Sequence, residues 1–190
     1  MTLAVLFPPS PAAPLLLHTG EPLTEHLAEQ LRRAGAREVV VAGDLDDVVE
    51  LAESAGRAGE PLLLCSGDLV AHTAVLHHLA THPAAASAAL VLADGPPEPR
   101  HAVVAEDRGQ VVAAGAVEAL PGEPSGTFGG ALRVVAGDLP ALAAAARPGA
   151  AGSGAALPAL DRLLAALTRG GVTIISHRVR LLVARRVTAP

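Results

Sequence analysis

The chain has 190 residues and is 51% hydrophobic, which suits one domain with a substantial core. Its formal net charge of -5 argues against general binding of nucleic acid. It has no Trp, no Tyr and only Phe7 and Phe128, so aromatic platforms that stack single-stranded nucleic acid are essentially excluded. All 14 basic residues are Arg, which excludes Schiff-base chemistry and a lysine grip on phosphate.

The first half of the chain predicts a regular alternation of strands and helices. Four apolar runs have the length of buried strands, at 3–7, 38–42, 61–68 and 88–93. Amphipathic helices are predicted between them, from Pro22 to Gly35, from Asp44 to Ala55 and from about Val70 to Thr81. This order with short connections is typical of a parallel sheet covered by helices.

The second half of the chain predicts a mixed sheet. Residues 101–106 and 110–115 are typical of a hairpin with its turn at Asp107-Arg108-Gly109. A strand from Gly129 and a helix from about Leu139 follow, and then a small-residue loop over 146–158. A helix over 160–169 and strands over 172–176 and 179–187 close the chain. We therefore predict one three-layer α/β domain over 1–190, with a mixed, mainly parallel sheet.

The N-terminal residues do not predict a targeting or membrane segment. They have no basic n-region, and Pro interrupts their apolar run. Cys65 is the only cysteine, so no internal disulfide or cysteine zinc cluster is possible. We expect a cytoplasmic protein.

Ligands of open α/β sheets bind beyond the carboxyl ends of the parallel strands. Three loops leave predicted strands at that edge, at 8–20, 43–47 and 66–69. In the third loop, Asp68 comes directly after a buried strand, where a carboxylate can bind Mg²⁺. The alternative is that Asp68 caps the next helix.

Other reactive side chains have a structural interpretation beside the functional one. The spacing of His78 and His82 suits a metal pair, but a solvated helix face explains the histidines of this helix (72, 77, 78 and 82) as well. Cys65 lies inside an apolar strand, where cysteines are usually inert. The acids at 44, 46 and 47 suit a helix N-terminus.

The order of several short motifs resembles the MobA-like and sugar-phosphate nucleotidyltransferases, which have a GT-A-like fold. A Gly-Glu-Pro-Leu step at 20–23 precedes a helix that ends in Arg-Arg-Ala-Gly-Ala at 32–36, and the strand EVVV follows. Ser66-Gly67-Asp68 matches the family's Gly-Asp metal site. The hairpin over 101–115 resembles the family's region of substrate specificity, and Gly129-Gly130 resembles its glycine-containing strand.

The resemblance implies a site at this edge of the sheet. Asp68 would hold Mg²⁺. Gly129 and Gly130 would border the second, phosphorylated substrate. The nucleotide would lie near Pro8, Pro9, Gly20, Glu21, Ser66 and Gly67.

The sequence departs from the family pattern in three places. The first loop, normally rich in glycine and containing an Arg, is FPPSPAAPLLLHT, with four prolines that have no N–H to donate. Glu21 stands where the family has a Lys. Residues 176–190 contain no acid, and Arg185 or Arg186 lies near the place of a second metal-binding Asp. An Arg can take the electrostatic position of a metal ion but not its coordination geometry.

Three interpretations remain open, of which the third is an unrelated α/β binding domain. The first is a nucleotidyltransferase with a degraded site, which transfers a nucleotidyl group from an NTP, with CTP as one candidate, to a phosphorylated sugar or alcohol. The second is a non-catalytic domain of the same fold that binds a nucleotide or a partner protein. The resemblance implies a fused or separate CDP-alcohol phosphotransferase as a partner, and a homodimer is compatible with it. The chain ends where the family begins another helix, which suits a fragment of a longer polypeptide.

Overall fold

A computed structural model describes residues 2–8, 17–18, 20–82, 85–105, 109–147, 157–180 and 184–187. The helices are α1 (Leu23–Arg33), α2 (Leu45–Ala58), α3 (Thr73–Thr81), α4 (Leu139–Ala146) and α5 (Ala159–Arg169). The strands of the first half are β1 (Thr2–Phe7), β2 (Leu17–His18), β3 (Glu21–Pro22), β4 (Ala36–Val41), β5 (Leu62–Ser66), β6 (Leu69–Ala71) and β7 (Ser87–Leu92). The later strands are β8 (Ala102–Ala105), β9 (Gln110–Gly115), β10 (Gly126–Val134), β11 (Ile174–Val179) and β12 (Ala184–Arg186).

A mixed sheet of eight strands forms the centre of the molecule, in the order β4-β1-β5-β10-β7-β11-β9-β8. The pairs β1–β4, β1–β5 and β7–β11 are parallel, whereas β10 runs antiparallel to both β5 and β7. Two short pairs, β2–β3 and β6–β12, lie outside this sheet. The carboxyl ends of β1, β5, β7 and β11 therefore share one edge, as ligand-binding α/β folds require.

Aliphatic side chains fill a core on each face of the sheet. Buried residues of α2, α4 and α5 pack on one face, among them Val48, Leu142 and Leu163. Buried residues of α1 and α3, such as Leu27 and Leu76, pack on the other. The three-layer α/β architecture predicted from the sequence is confirmed. No described helix is long and apolar enough to cross a membrane.

The predicted strand at 38–42 is only partly buried, because β4 is the first strand of the sheet and pairs with β1. Its outward side chains face solvent, and Val41 is 57% exposed. An apolar run alone does not distinguish a central strand from an edge strand.

The second helix is longer than predicted. It continues through Gly56 to Ala58 and ends at Gly59, whose φ of 67° is the left-handed conformation common at helix ends. At its start, the Asp44 side chain accepts hydrogen bonds from the N–H groups of Asp46 and Asp47. These acids cap a helix, which is the structural interpretation made from the sequence.

The hairpin predicted over 101–115 is formed by β8 and β9, although Asp107 and Arg108 of its turn lie outside the described residues. Most of the loop predicted over 146–158 also lies outside them. The last predicted strand is shorter than expected. β12 covers Ala184–Arg186 and pairs with β6 instead of joining the main sheet.

Candidate functional site at the carboxyl edge of the sheet

Asp68 lies in a turn between two strands. The preceding strand β5 ends at Ser66, and the Gly67 N–H donates to the Phe7 carbonyl at 2.6 Å, which ties the turn to the end of β1. The three-residue strand β6 follows Asp68 directly. The alternative that Asp68 caps the third helix is therefore wrong, since α3 starts later and His72 is its N-cap.

Strand β12 places Arg186 beside this turn. It pairs antiparallel with β6, with Arg186 opposite Leu69. The Val187 N–H donates to the Asp68 carbonyl at 2.8 Å. Backbone pairing thus holds an arginine next to a carboxylate that lies 118 residues earlier in the chain.

The Arg186 guanidinium binds Asp68 through two nitrogens. Nε lies 3.1 Å and Nη2 2.9 Å from Asp68 Oδ2, and Nη2 also donates to Ser66 Oγ at 3.2 Å. The Arg186 side chain is 4% exposed and that of Asp68 is 19% exposed. This is a buried, charge-assisted contact of the kind that arginine geometry favours.

The opposite edge of the same guanidinium binds Asp161. Nη1 lies 3.0 Å from Asp161 Oδ2 and 3.1 Å from Oδ1. His101, which directly precedes β8, has its Nδ1 2.6 Å from Asp161 Oδ1 and 2.8 Å from Arg186 Nη1. A hydrogen on Nδ1 would donate to Asp161, whereas a lone pair there would accept from Arg186. Arg186, Asp68, Asp161, His101 and Ser66 are called the Arg186 cluster below.

The charges around Arg186 determine the protonation state of its guanidinium. Burial lowers the pKa of Arg186, but the negative charges of Asp161 and Asp68 and the hydrogen bonds to both outweigh burial and raise that pKa above its usual value. The guanidinium is therefore charged at neutral pH. Two carboxylates share this one positive charge.

Gly130 makes room for the guanidinium. Its φ is +81°, and a Cβ added there would lie 3.2 Å from Ser66 Cβ and 3.5 Å from Arg186 Nε. The neighbouring Gly129 lies against Leu90, where an added Cβ would be 2.9 Å from Cγ. The register between β10 and β7 shifts at this point, between Phe128 and Leu132. Of the two glycines predicted to border a second substrate, Gly130 lies against the Arg186 cluster.

The other residues predicted to border the nucleotide lie at several different places in the structure. Pro8 is exposed directly after β1, and Pro9 lies outside the described residues. Gly20 has a φ of +89° in the turn between β2 and β3, and the exposed Glu21 begins β3 just before α1. In the described part of the chain, neither Gly20 nor Glu21 is hydrogen-bonded to the Arg186 cluster.

The arrangement does not fit a Mg²⁺ ion at Asp68. Both oxygens of Asp68 and both oxygens of Asp161 receive N–H groups from Arg186. Over the described ranges, no three His, Cys, Asp or Glu side chains are grouped so that they could hold a metal ion. The oxygen ligands that Mg²⁺ prefers are therefore bound to a guanidinium.

Cys65 is not a nucleophile here. It is fully buried in β5, and burial raises the pKa of its thiol to about 12. A thiol with such a pKa is protonated and unreactive at neutral pH.

Among the described residues, the histidines of α3 are not arranged as ligands of a metal ion, although His78 and His82 lie near each other. His77 Nδ1 lies 2.9 Å from the Ala34 carbonyl oxygen, while the His78 ring is 5.4 Å from that of His82. His177 on β11 completes this group, since its ring lies 4.7 Å from that of His78. Burial, together with the charges of His78 and His82, lowers the pKa of His177.

Sequence reasoning missed Asp161 and His101. Asp161 is 3% exposed in the first turn of α5, and Leu164 and Ala165, three and four positions later, are also buried. A carboxylate on the apolar face of a predicted helix is a usable signal, because burying an unpaired charge is costly. His101 gave no comparable signal.

The fold is that of known nucleotidyltransferases. The structure is similar to that of CMP:2-keto-3-deoxy-manno-octonic acid synthetase complexed with CTP, with a TM-score of 0.61 at 17% identity over 94% of this chain and 90% of that one. It is similar to CTP:phosphocholine cytidylyltransferase from Streptococcus pneumoniae, with a TM-score of 0.65 at 9% identity over 98% and 93%. The inositol-1-phosphate CTP transferase from T. maritima gives a TM-score of 0.63 at 11% identity over 98% and 89%. No protein-family model and no curated protein matches the sequence. These likenesses confirm the predicted nucleotidyltransferase-like fold.

Proposed function

We propose that this chain is a nucleotidyltransferase-like domain that binds a nucleoside triphosphate, with CTP as the first candidate, and does not transfer its nucleotidyl group. The proposal separates binding from chemistry. The fold supports binding, and the Arg186 cluster is the reason to exclude transfer.

One observation carries the proposal. Arg186 lies between Asp68 and Asp161 and donates to both carboxylates, at 2.9 Å to Asp68 and 3.0 Å to Asp161. Nucleotidyl transfer depends on positive charge that neutralises the phosphates while the reacting groups are aligned. Asp68 cannot supply a bound Mg²⁺ for that purpose while Arg186 occupies its oxygens.

CTP is the first candidate because one of the structurally similar proteins is complexed with CTP and two others are the CTP:phosphocholine cytidylyltransferase and the inositol-1-phosphate CTP transferase. The sheet edge where β1 and β5 end is also the edge at which open α/β sheets bind ligands. Phosphorylated alcohols and sugars are the corresponding candidates for a second ligand.

A calorimetric titration with CTP, ATP, GTP and UTP, each with and without Mg²⁺, tests the proposal. We expect CTP to bind with a dissociation constant that changes by less than about threefold when Mg²⁺ is added. Pyrophosphate release in the presence of phosphorylated alcohols should stay at the level of a protein-free control. Arg178→Ala is the matched control for the variant Asp68→Ala, because Arg178 donates to the Ser125 carbonyl and does not touch Asp68 or Asp161.

Two results would contradict the proposal in different ways. Mg²⁺-dependent binding that Asp68→Ala abolishes would show an active-site metal and favour an enzyme. If none of the four nucleotides binds, the nucleotide-binding part of the proposal is wrong.

The second candidate function is an active cytidylyltransferase, and one observation favours it. Two buried carboxylates from separate elements, Asp68 after β5 and Asp161 in α5, converge on one point at the ligand-binding edge. Paired acids in that position suit phosphoryl chemistry once a divalent ion replaces the arginine. Pyrophosphate release that depends on both acids would establish this function.

The resemblance seen in the sequence also leads us to propose a CDP-alcohol phosphotransferase, fused or separate, as a functional partner. Association with such an enzyme would give a non-catalytic nucleotide-binding domain a role near a nucleotide-dependent reaction. Co-purification of the two proteins after co-expression tests this, and separate elution at micromolar concentrations would contradict it. A homodimer is the other proposed assembly, and light scattering measures it directly.

A further inference from the structure

We infer that Asp68 and Asp161 form a cation-binding pair that the chain fills with its own guanidinium, so that Arg186 permanently stands in place of a divalent ion. The inference goes beyond the proposed function because it concerns the carboxylates alone. It needs no nucleotide, and it assigns Asp161, His101 and Ser66 to a cation site.

The geometry is that of one cation between two anions. One edge of the guanidinium, Nε and Nη2, faces Asp68, and Nη1 faces Asp161. Both carboxylates would repel each other across this space if the arginine were absent. A divalent ion, whose oxygen ligands lie at about 2.0–2.6 Å, would balance both charges.

Two further atoms that could act as metal ligands lie around the guanidinium. Ser66 Oγ lies 3.2 Å from Nη2, and His101 Nδ1 lies 2.8 Å from Nη1. Two carboxylates and a hydroxyl oxygen are ligands suited to Mn²⁺ and Mg²⁺, and the imidazole nitrogen favours Mn²⁺ of the two. The guanidinium is larger than either ion, which explains why these side chains are not grouped closely enough for metal binding in the present structure.

The fold holds the Arg186 guanidinium in the position between the two carboxylates. Arg186 is 4% exposed, and β12 is held by its pairing with β6 and by the bond from Val187 to the Asp68 carbonyl. Gly130 leaves the space that the guanidinium fills. An ion from solvent would therefore have to displace the guanidinium from two ion pairs to lie between the carboxylates.

Direct binding of Mn²⁺, followed by electron paramagnetic resonance and calorimetry on the whole chain without nucleotide, tests the inference. We expect no specific site in the wild type. We expect one Mn²⁺ to bind Arg186→Ala at a specific site, at least about tenfold more tightly than any nonspecific binding to the wild type. The double variant Arg186→Ala/Asp161→Asn should lose that site. The matched control Arg178→Ala should behave as the wild type.

The test also covers the case in which the Arg186→Ala protein does not fold without metal. If Arg186→Ala is unfolded without metal, the inference predicts that Mn²⁺ restores the fold and that Mg²⁺ does so at higher concentration. Arg186→Lys keeps the positive charge and should fold without taking up Mn²⁺.

Three results would overturn the inference: Mn²⁺ bound at Asp68 in the wild type, a folded Arg186→Ala that binds no Mn²⁺, or an unfolded one that millimolar Mn²⁺ does not restore. Failure of CTP to bind would leave all of these outcomes unchanged. Mn²⁺ bound in the wild type would contradict both proposals, whereas an Arg186→Ala variant that takes up no Mn²⁺ would overturn the inference alone.

Discussion

At the scale of single residues, the Arg186 cluster makes stability depend on each of its charges. Asp161 is 3% exposed and faces both Arg186 and His101. Removing one partner of a buried ion pair leaves the other charge without compensation, which usually costs more than the pair itself contributes. Surface ion pairs of this chain, such as Arg147 with Glu53, are more exposed and contribute little.

Asp161→Asn should destabilise the protein by about 1–3 kcal/mol, because it weakens the charge-assisted hydrogen bonds to Arg186 Nη1 while Asp68 still compensates the guanidinium charge. Urea unfolding measures the change in the free energy of unfolding. Glu53→Gln is the control and should cost less than about 1 kcal/mol. An Asp161→Asn protein as stable as the Glu53→Gln protein would show that the cluster is not an energetic unit.

Gly130→Ala is expected to destabilise the protein by about 1–3 kcal/mol, since a side chain at a positive φ is strained. The added methyl group would also press on Ser66 and Arg186. Gly137→Ala is the matched control, because a Cβ at Gly137 meets nothing within 4 Å. Thermal unfolding compares the two variants, and equal melting temperatures would be inconsistent with this role of Gly130.

At the scale of elements, the long elements were predictable and the short ones were not. Helices such as α1 and α5 and the central strands follow apolar periodicity, which the sequence shows directly. The three-residue strands β6 and β12 are too short for any periodic pattern, yet their pairing places Arg186 against Asp68. The sequence therefore predicted the position of Asp68 at the sheet edge but not its partner.

The contact between α3 and β11 predicts a pH dependence of stability. The pKa of His177 is lowered in the folded protein by burial and by His78 and His82, so protonation favours the unfolded chain. The contribution of His177 is complete above its unfolded pKa of about 6.5 and is lost as the pH falls below that value.

His177→Asn should reduce the loss of stability between about pH 6.5 and pH 5, because asparagine does not take up a proton. Urea unfolding at a series of pH values measures this slope. His78→Asn should have a smaller effect in the same direction, since it removes one source of repulsion. A slope in His177→Asn equal to that of the wild type would contradict the assigned cause.

At the scale of the whole molecule, the fold was predictable from the order of motifs, while the state of the site was not. The strand–helix rhythm and the Gly-Asp step after the third strand led to a nucleotidyltransferase-like fold, which the comparisons confirm. Asp161 and Arg186 are far from Asp68 in sequence, and no local pattern connects three charges on three elements. The acid-free C-terminal segment showed a missing carboxylate, but only the structure shows an arginine bound between two others.

The presence of Arg186 between Asp68 and Asp161 is the central claim, and anomalous diffraction from crystals grown with CTP and Mn²⁺ tests it most directly. We predict no manganese peak between Asp68 and Asp161, and Arg186 Nη1 and Nη2 still within hydrogen-bond distance of both carboxylates. A manganese peak at that point, with the Arg186 side chain displaced, would contradict the account and favour a metal-dependent enzyme.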